Sequence, residues 1–282
     1  MTKQGSGTYT AGLFSVNVAI DYNGPAARNF LDFLLGDLPS GDGPLSTRRF
    51  AVIIVGKPEK MSLWLDERQL YFGESAQEMA YILINEIVYD CIINTSNQQA
   101  VHAAALVAAG KGILLPGKSG SGKSSIAAWL TAKGCTYLTD ELVLLAQDGR
   151  LLPFTRPISL KPPSLAALLA QIKIDEQAIL VSPKGAMIPH RLLNPAWQPM
   201  QPRLTTIIFP EFIAGHPASL LPISAAKSCM QLLACHVNAR TIPGHGFAEL
   251  AEICRNTVSY ELKFGDFTGL IPALAPILAG EG

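Results

Sequence analysis

Gly117-Lys-Ser-Gly-Ser-Gly-Lys-Ser124 is a complete G-x-x-x-x-G-K-[ST] pattern, and its flanks decide how it is read. Ahead of it lies Gly112-Ile-Leu-Leu-Pro116, an apolar run of the length of a buried strand. Behind it comes Ser125-Ile-Ala-Ala-Trp-Leu-Thr-Ala-Lys133, rich in helix formers with apolar residues at Ile126, Trp129 and Leu130. Strand, glycine loop and helix are the context in which successive backbone N–H groups turn inward around phosphate oxygens. The pattern therefore assigns Gly117, Lys118, Ser119, Gly120, Ser121, Gly122, Lys123, Ser124 and Ser125 to a nucleotide site. Lys123 is expected to reach the terminal phosphates and the Ser124 hydroxyl to hold Mg²⁺, with ATP as the nucleotide.

A second motif follows closely. Gly134 closes the helix, Thr136-Tyr-Leu-Thr139 reads as a strand, and Asp140-Glu141 leads into Leu142-Val-Leu-Leu145. The acids sit only seventeen residues beyond Lys123, room for one helix, a turn and one strand. Motor, switch and transporter P-loop proteins carry their acidic residue much further along, and the transporter stretch Leu-Ser-Gly-Gly-Gln is absent. A carboxylate beside Mg²⁺-triphosphate organises the metal or accepts the proton of an incoming hydroxyl. Neighbouring strand residues face opposite ways, so one acid is expected to face the γ-phosphate. The assignment is Asp140 as base and Glu141 as helper, both near the metal with Ser124. Upstream, Val101–Ala108 reads as a strand joined to Gly112–Pro116 by a turn at Gly110-Lys111. That register pairs Ala109 with Gly112 and sets His102 opposite Ser119, making it the one histidine assigned to the site. The remaining four are read as ordinary.

The rest of the chain bounds the setting. Of 282 residues, 49% are hydrophobic, ample for a core, and 22 basic side chains balance 22 acidic ones. Neutrality gives no electrostatic reason to expect nucleic acid or an anionic membrane surface. The five cysteines show no C-x-x-C spacing and read as buried, reduced thiols rather than a disulfide framework or a Cys229/Cys235/His236 metal site. No apolar signal core opens the chain and no run reaches membrane-spanning length, so a cytoplasmic protein is expected.

Residues 1–95 read as a small α+β module: a strand over Phe14–Ile20, a helix over Ala26–Leu35, a Pro39–Pro44 loop, strands near Arg49–Val55 and Met61–Leu65, and a bridging helix over 77–95. Residues 96–282 read as the nucleotide-binding domain. There, nine prolines between 150 and 205 predict short elements, with a helix over Ser164–Ile172. A strand is predicted at Leu204–Phe209, helices at Ala225–Cys235 and Gly246–Arg255, a strand at Ser259–Phe264 and a packed helix at Leu270–Leu278.

The combination His102-Ala-Ala-Ala-Leu-Val, hairpin, Gly117–Ser125 and Leu138-Thr-Asp-Glu-Leu-Val143 resembles the HPr kinase/phosphorylase family, its shorter HPr-kinase-related members in particular. The match covers about residues 100–145, and Tyr260-Glu-Leu-Lys-Phe-Gly-Asp266 is similar to the closing segment of those proteins. The resemblance implies an α/β P-loop kinase core related to phosphoenolpyruvate carboxykinase, with a mixed sheet and flanking helices. It implies Mg²⁺-ATP-dependent phosphorylation of a serine on a protein or peptide, and often homo-oligomers. Asp140 would deprotonate the acceptor, Lys123 would stabilise the transferring group, and His102 would stand beside both. The family's Glu-x-Arg-Gly-x-Gly stretch is absent. Leu152-Pro-Phe-Thr-Arg-Pro-Ile-Ser-Leu-Lys161 stands there instead, with Arg156 and Lys161 as alternative sources of its charge. A small-molecule kinase and a nucleotide-binding regulatory module without turnover stay open beside the protein-kinase reading.

Overall fold

The computed structural model describes residues 5–13, 16–38, 43–93, 95 and 98–280. The expectations for Phe14 and Ser15, most of the 39–44 loop and Asn94 lie outside the described residues.

The chain begins with β1 (Gly7–Leu13), β2 (Val16–Tyr22), α1 (Pro25–Leu35), β3 (Leu45–Val55), β4 (Lys60–Leu65), β5 (Arg68–Gly73) and α2 (Ala76–Ile93). Its five strands form one sheet in chain order. Only β2 and β3 are parallel, so α1 serves as their crossover. Pro25 opens that helix, where a missing N–H costs nothing. In β4, Met61, Leu63 and Leu65 point inward and alternate with less buried neighbours, the period-two pattern of a sheet with one covered face.

A second set follows: β6 (Gln99–Ala108), β7 (Lys111–Pro116), α3 (Lys123–Ala132), β8 (Thr136–Thr139), β9 (Leu142–Leu145) and β10 (Leu151–Leu152). Then come β11 (Ile158–Leu160), α4 (Pro162–Leu169), β12 (Leu180–Ser182), β13 (Gly185–Ile188) and α5 (His190–Leu193). The chain closes with β14 (Leu204–Phe212), β15 (Ser219–Ile223), α6 (Ala225–Leu233), α7 (Phe247–Arg255), β16 (Val258–Phe264) and α8 (Leu270–Leu278). The large sheet runs β10-β9-β6-β7-β14-β16-β15, with β8 also on β6. Its β7, β14 and β16 are parallel to one another, while β6, β8, β9, β10 and β15 run antiparallel to their neighbours. The fold is thus a mixed α/β arrangement with flanking helices. A small sheet, β11-β13-β12, accounts for much of the proline-punctuated region as short elements.

Helices cover both faces of β6, which is why that strand is apolar on both faces from Ala103 to Ala108. Ile126, Trp129 and Leu130 of α3 pack on one side, and Leu232, Leu250 and Cys254 of α6 and α7 on the other. The core under α1 and α2 does not stop at the N-terminal sheet. It takes in Ala100, Leu142, Leu144, Phe154 and Met187 as well. On one face of β6, Ala100 belongs to that core and Ala104 to the α3 core. His102 lies between them, at the seam.

The hairpin turn differs from expectation. Ala108 pairs with Lys111 and Ala103 with Pro116, so Ala109 and Gly110 form the turn, with φ of 47° and 76°. Two positive φ values make the type I′ geometry whose twist matches the strands. The register is therefore two residues away from the expected one. His102 falls level with Gly117, where the glycine loop begins, not with Ser119. A shift of two keeps its face. Among the described residues no helix is long and apolar enough to cross a membrane.

Candidate functional site

The glycine loop joins the end of β7 to the start of α3, at the same end of the sheet as the first residues of β6. Gly122 has φ of 96°, and a Cβ there would run into the ring of Phe264, so the approach of β16 leaves room for glycine alone. Gly122 is also the N-cap of α3, and no side chain among the described residues caps that helix. The first-turn N–H groups of Lys123, Ser124 and Ser125 thus keep the orphan donors and positive dipole end that suit an anion. Ser121 Oγ is buried in the loop with no hydrogen-bond partner among the described residues. Lys123 is 6% exposed and turns its ammonium onto the loop itself, donating to Gly117 O at 2.7 Å and Lys118 O at 3.0 Å. Burial lowers its pKa, while Glu141, Cys235 and Asp140 pull the other way. An orphaned hydroxyl, uncapped N–H groups and a lysine satisfied only by loop carbonyls fit a polyphosphate. Ser124, expected from sequence to meet the metal, is half-buried in the first turn of α3.

The acids lie where pairing along β6 is interrupted. β8 and β9 follow β6 in one register, Ala105 with Thr139 and His102 with Leu142, and Asp140 and Glu141 span the gap between them. The interruption turns both carboxylates to one guanidinium. Arg156 Nη2 lies 3.0 Å from Asp140 Oδ1 and 3.3 Å from Glu141 Oε2. Strict strand alternation would have sent the two acids to opposite faces. Asp140 is engaged on both oxygens. Tyr137 Oη donates to Oδ1 at 2.9 Å and the Ser159 N–H to Oδ2 at 3.1 Å, and solvent does not reach its side chain. Tyr137, Arg156 and the Ser159 N–H thus surround the oxygens of Asp140, the residue expected from sequence to act as base.

Glu141 occupies the accessible position. Its side chain is 39% exposed, and His102 Nδ1 stands 3.4 Å from Oε1. Partial burial would raise its pKa, but the His102 contact, Arg156 and Lys123 together outweigh that and hold it below the usual carboxylate value. Glu141 is thus an ionised carboxylate at neutral pH, facing a histidine, a lysine and solvent.

The structure therefore brings His102, Lys123, Glu141 and the loop together, and sets Asp140 one layer deeper. Residues that sequence reasoning did not assign hold this layer. Tyr137 is fully buried, and burial and Asp140 both drive its pKa up, so it stays a neutral donor. His190 stacks on it with ring centroids 5.3 Å apart, Trp197 meets His190 at 4.5 Å, and Trp197 Nε1 donates to Tyr137 O at 2.7 Å. Arg156, one of two alternatives read from sequence, is the clamp. Burial opposes its charge, but Asp140 and the other neighbours keep its pKa raised. Cys235 and His236 part company: burial raises the pKa of the Cys235 thiol while Lys123 and the Gly117 backbone oppose it, whereas His236 Nε2 meets Asn238 Oδ1 at 3.0 Å. Among the described residues no three His, Cys, Asp or Glu side chains group as a metal site by themselves.

No family model matches this chain, and no curated protein matches it. Among solved structures it is similar to the Hpr(Ser) kinase/phosphatase from Coxiella burnetii, at 15% identity and a TM-score of 0.33, covering 65% of this chain and 95% of that one.

Proposed function

We propose that this chain is an ATP-dependent kinase that transfers a phosphoryl group to a hydroxyl, a serine of a protein or peptide being the acceptor. One observation carries the reading: a solvent-reached, ionised carboxylate, Glu141, stands beside a phosphate loop with an uncapped helix end. A pure nucleotide binder needs the loop but no such carboxylate. Mg²⁺-ATP, when bound, supplies the phosphoryl group and a divalent positive charge. The α3 N–H groups and Lys123 hold the phosphates, with Lys123 leaving the loop carbonyls of Gly117 and Lys118 to do so. Ser124 and Glu141 are the residues for the metal, with Asp140 behind them as a fixed negative charge. Glu141 accepts the proton of the acceptor hydroxyl, and His102 orients it through Oε1. Arg156 binds both acids and fixes their spacing, so the catalytic contribution is positioning and charge neutralisation. The partly exposed Glu141 and His102 favour an acceptor presented on a macromolecule over one swallowed whole.

The test is transfer of label from γ-labelled ATP in a cell lysate. Label in a discrete protein band supports the proposal, label in a metabolite favours a small-molecule kinase, and label only in free phosphate favours a regulatory module. Glu141→Gln should keep nucleotide binding and lower transfer by about 100-fold or more. Transfer near the wild-type rate would remove Glu141 from the base role. Lys123→Ala should weaken both binding and transfer.

A further inference from the structure

We infer that Lys161 is a second cation of the nucleotide site, one that reads the outermost phosphate from outside the glycine loop; this rests on the nucleotide reading above. Lys161 separates β11 from α4 and is the N-cap of that helix. Its backbone is held by the close approach of Gly185 on β13, where a Cβ would collide with Leu160 O. From there its side chain crosses to the loop, and Nζ donates to Ser119 Oγ at 3.3 Å. A second tie fixes the same junction: Ser125 Oγ in the first turn of α3 donates to Ser164 Oγ in the first turn of α4 at 2.8 Å.

The start of α4 thus abuts the start of α3, but its chemistry is different. Pro162 and Pro163 fill its first positions and carry no N–H, so its first turn offers an anion the Ser164 N–H and hydroxyl beside the Lys161 ammonium. Lys161 forms no ion pair with a carboxylate among the described residues, nor do Lys118 and Lys123. Its positive charge is felt at Lys123, whose proton affinity it lowers. Three ammonium groups around one loop, with the acids behind them already clamped by Arg156, make a surplus that a polyphosphate relieves. Backbone donors and α3 serve the inner phosphates. A side chain that meets the loop at its exposed middle, Ser119, is left for the outermost one. Lys161 accordingly separates triphosphate from diphosphate.

The experiment titrates wild-type protein and Lys161→Gln with Mg²⁺ plus a non-hydrolysable ATP analogue, and with Mg²⁺-ADP, by calorimetry. Loss of one charge-assisted hydrogen bond should weaken the triphosphate analogue by about tenfold and leave ADP within about twofold. Equal losses for both nucleotides, or no loss for either, would overturn the assignment. Wild-type protein that binds neither nucleotide would overturn the nucleotide reading itself, and this assignment with it.

Discussion

Acidification puts the aromatic stack beneath Asp140 to a quantitative test. His190 is 1% exposed and stacks between Tyr137 and Trp197, with neither ring nitrogen in a hydrogen bond among the described residues. The charged groups beside it are Asp37, with Oδ2 at 3.4 Å, and Arg191, itself paired to Asp37. Burial dominates, Asp37 opposes it and Arg191 adds to it, so the pKa is pushed down to about 4. In the unfolded chain the imidazole titrates near 6.5. On acidification the unfolded state therefore takes up the proton first. The stability that depends on neutral His190 is complete above pH ~6.5 and drains as pH falls toward 4. A gap of about 2.5 pH units limits the loss to about 3 kcal/mol, and about 2 kcal/mol of that is gone by pH ~5. Urea unfolding of wild type and His190→Phe at pH ~7.5 and ~5 isolates the effect, since the other titrating groups cancel in the difference. Wild type should lose about 2 kcal/mol more than the variant over that interval. Equal losses would refute the reasoning, and would mean that the imidazole is protonated in place.

Further outcomes follow from the site. Asp140→Asn leaves the buried Arg156 with the partly exposed Glu141 as its one charged partner among the described residues, and should cost about 3 kcal/mol in urea unfolding. Glu141→Gln, at a partly exposed position, should cost under about 1 kcal/mol in the same assay. Gly122→Ala should destabilise by about 1–3 kcal/mol and weaken nucleotide binding, because Phe264 must move and the new residue is held at positive φ; unchanged binding by calorimetry would count against the loop geometry. Trp197→Phe deletes the donor to Tyr137 O and should cost about 1–3 kcal/mol.

What was legible in the sequence was local. Strand, loop, helix and next strand around residues 112–145 follow from periodicity and glycine placement, because each is decided by residues within a few positions. The turn was misplaced because it puts Ala109, not a glycine or asparagine, at positive φ. A long-range contact accompanies it, Lys111 Nζ reaching Gly280 O at 2.6 Å. β1 and β5 are not legible in the sequence, because Gly7–Leu13 and Arg68–Gly73 lack a clean alternation of apolar residues. That Asp140 is the buried acid and Glu141 the exposed one could not be read either. Tyr137 passes for any strand tyrosine, and the Arg156 and Ser159 groups that claim Asp140 arrive after a stretch whose path prolines obscure. His190 carried no partner pattern, since Asp37 stands more than 150 residues earlier.

The core beneath α2 has a consequence for how this chain is inherited. Ala100, Leu142, Leu144, Phe154 and Met187 are roofed by residues that precede position 96. A recombination breakpoint between the halves would leave an oily floor without a ceiling on one product, and a half-empty sheet on the other. His102 would lose one of the two walls that hold it level with the glycine loop. The first hundred residues are thus not cargo that could be exchanged for another piece without opening this core.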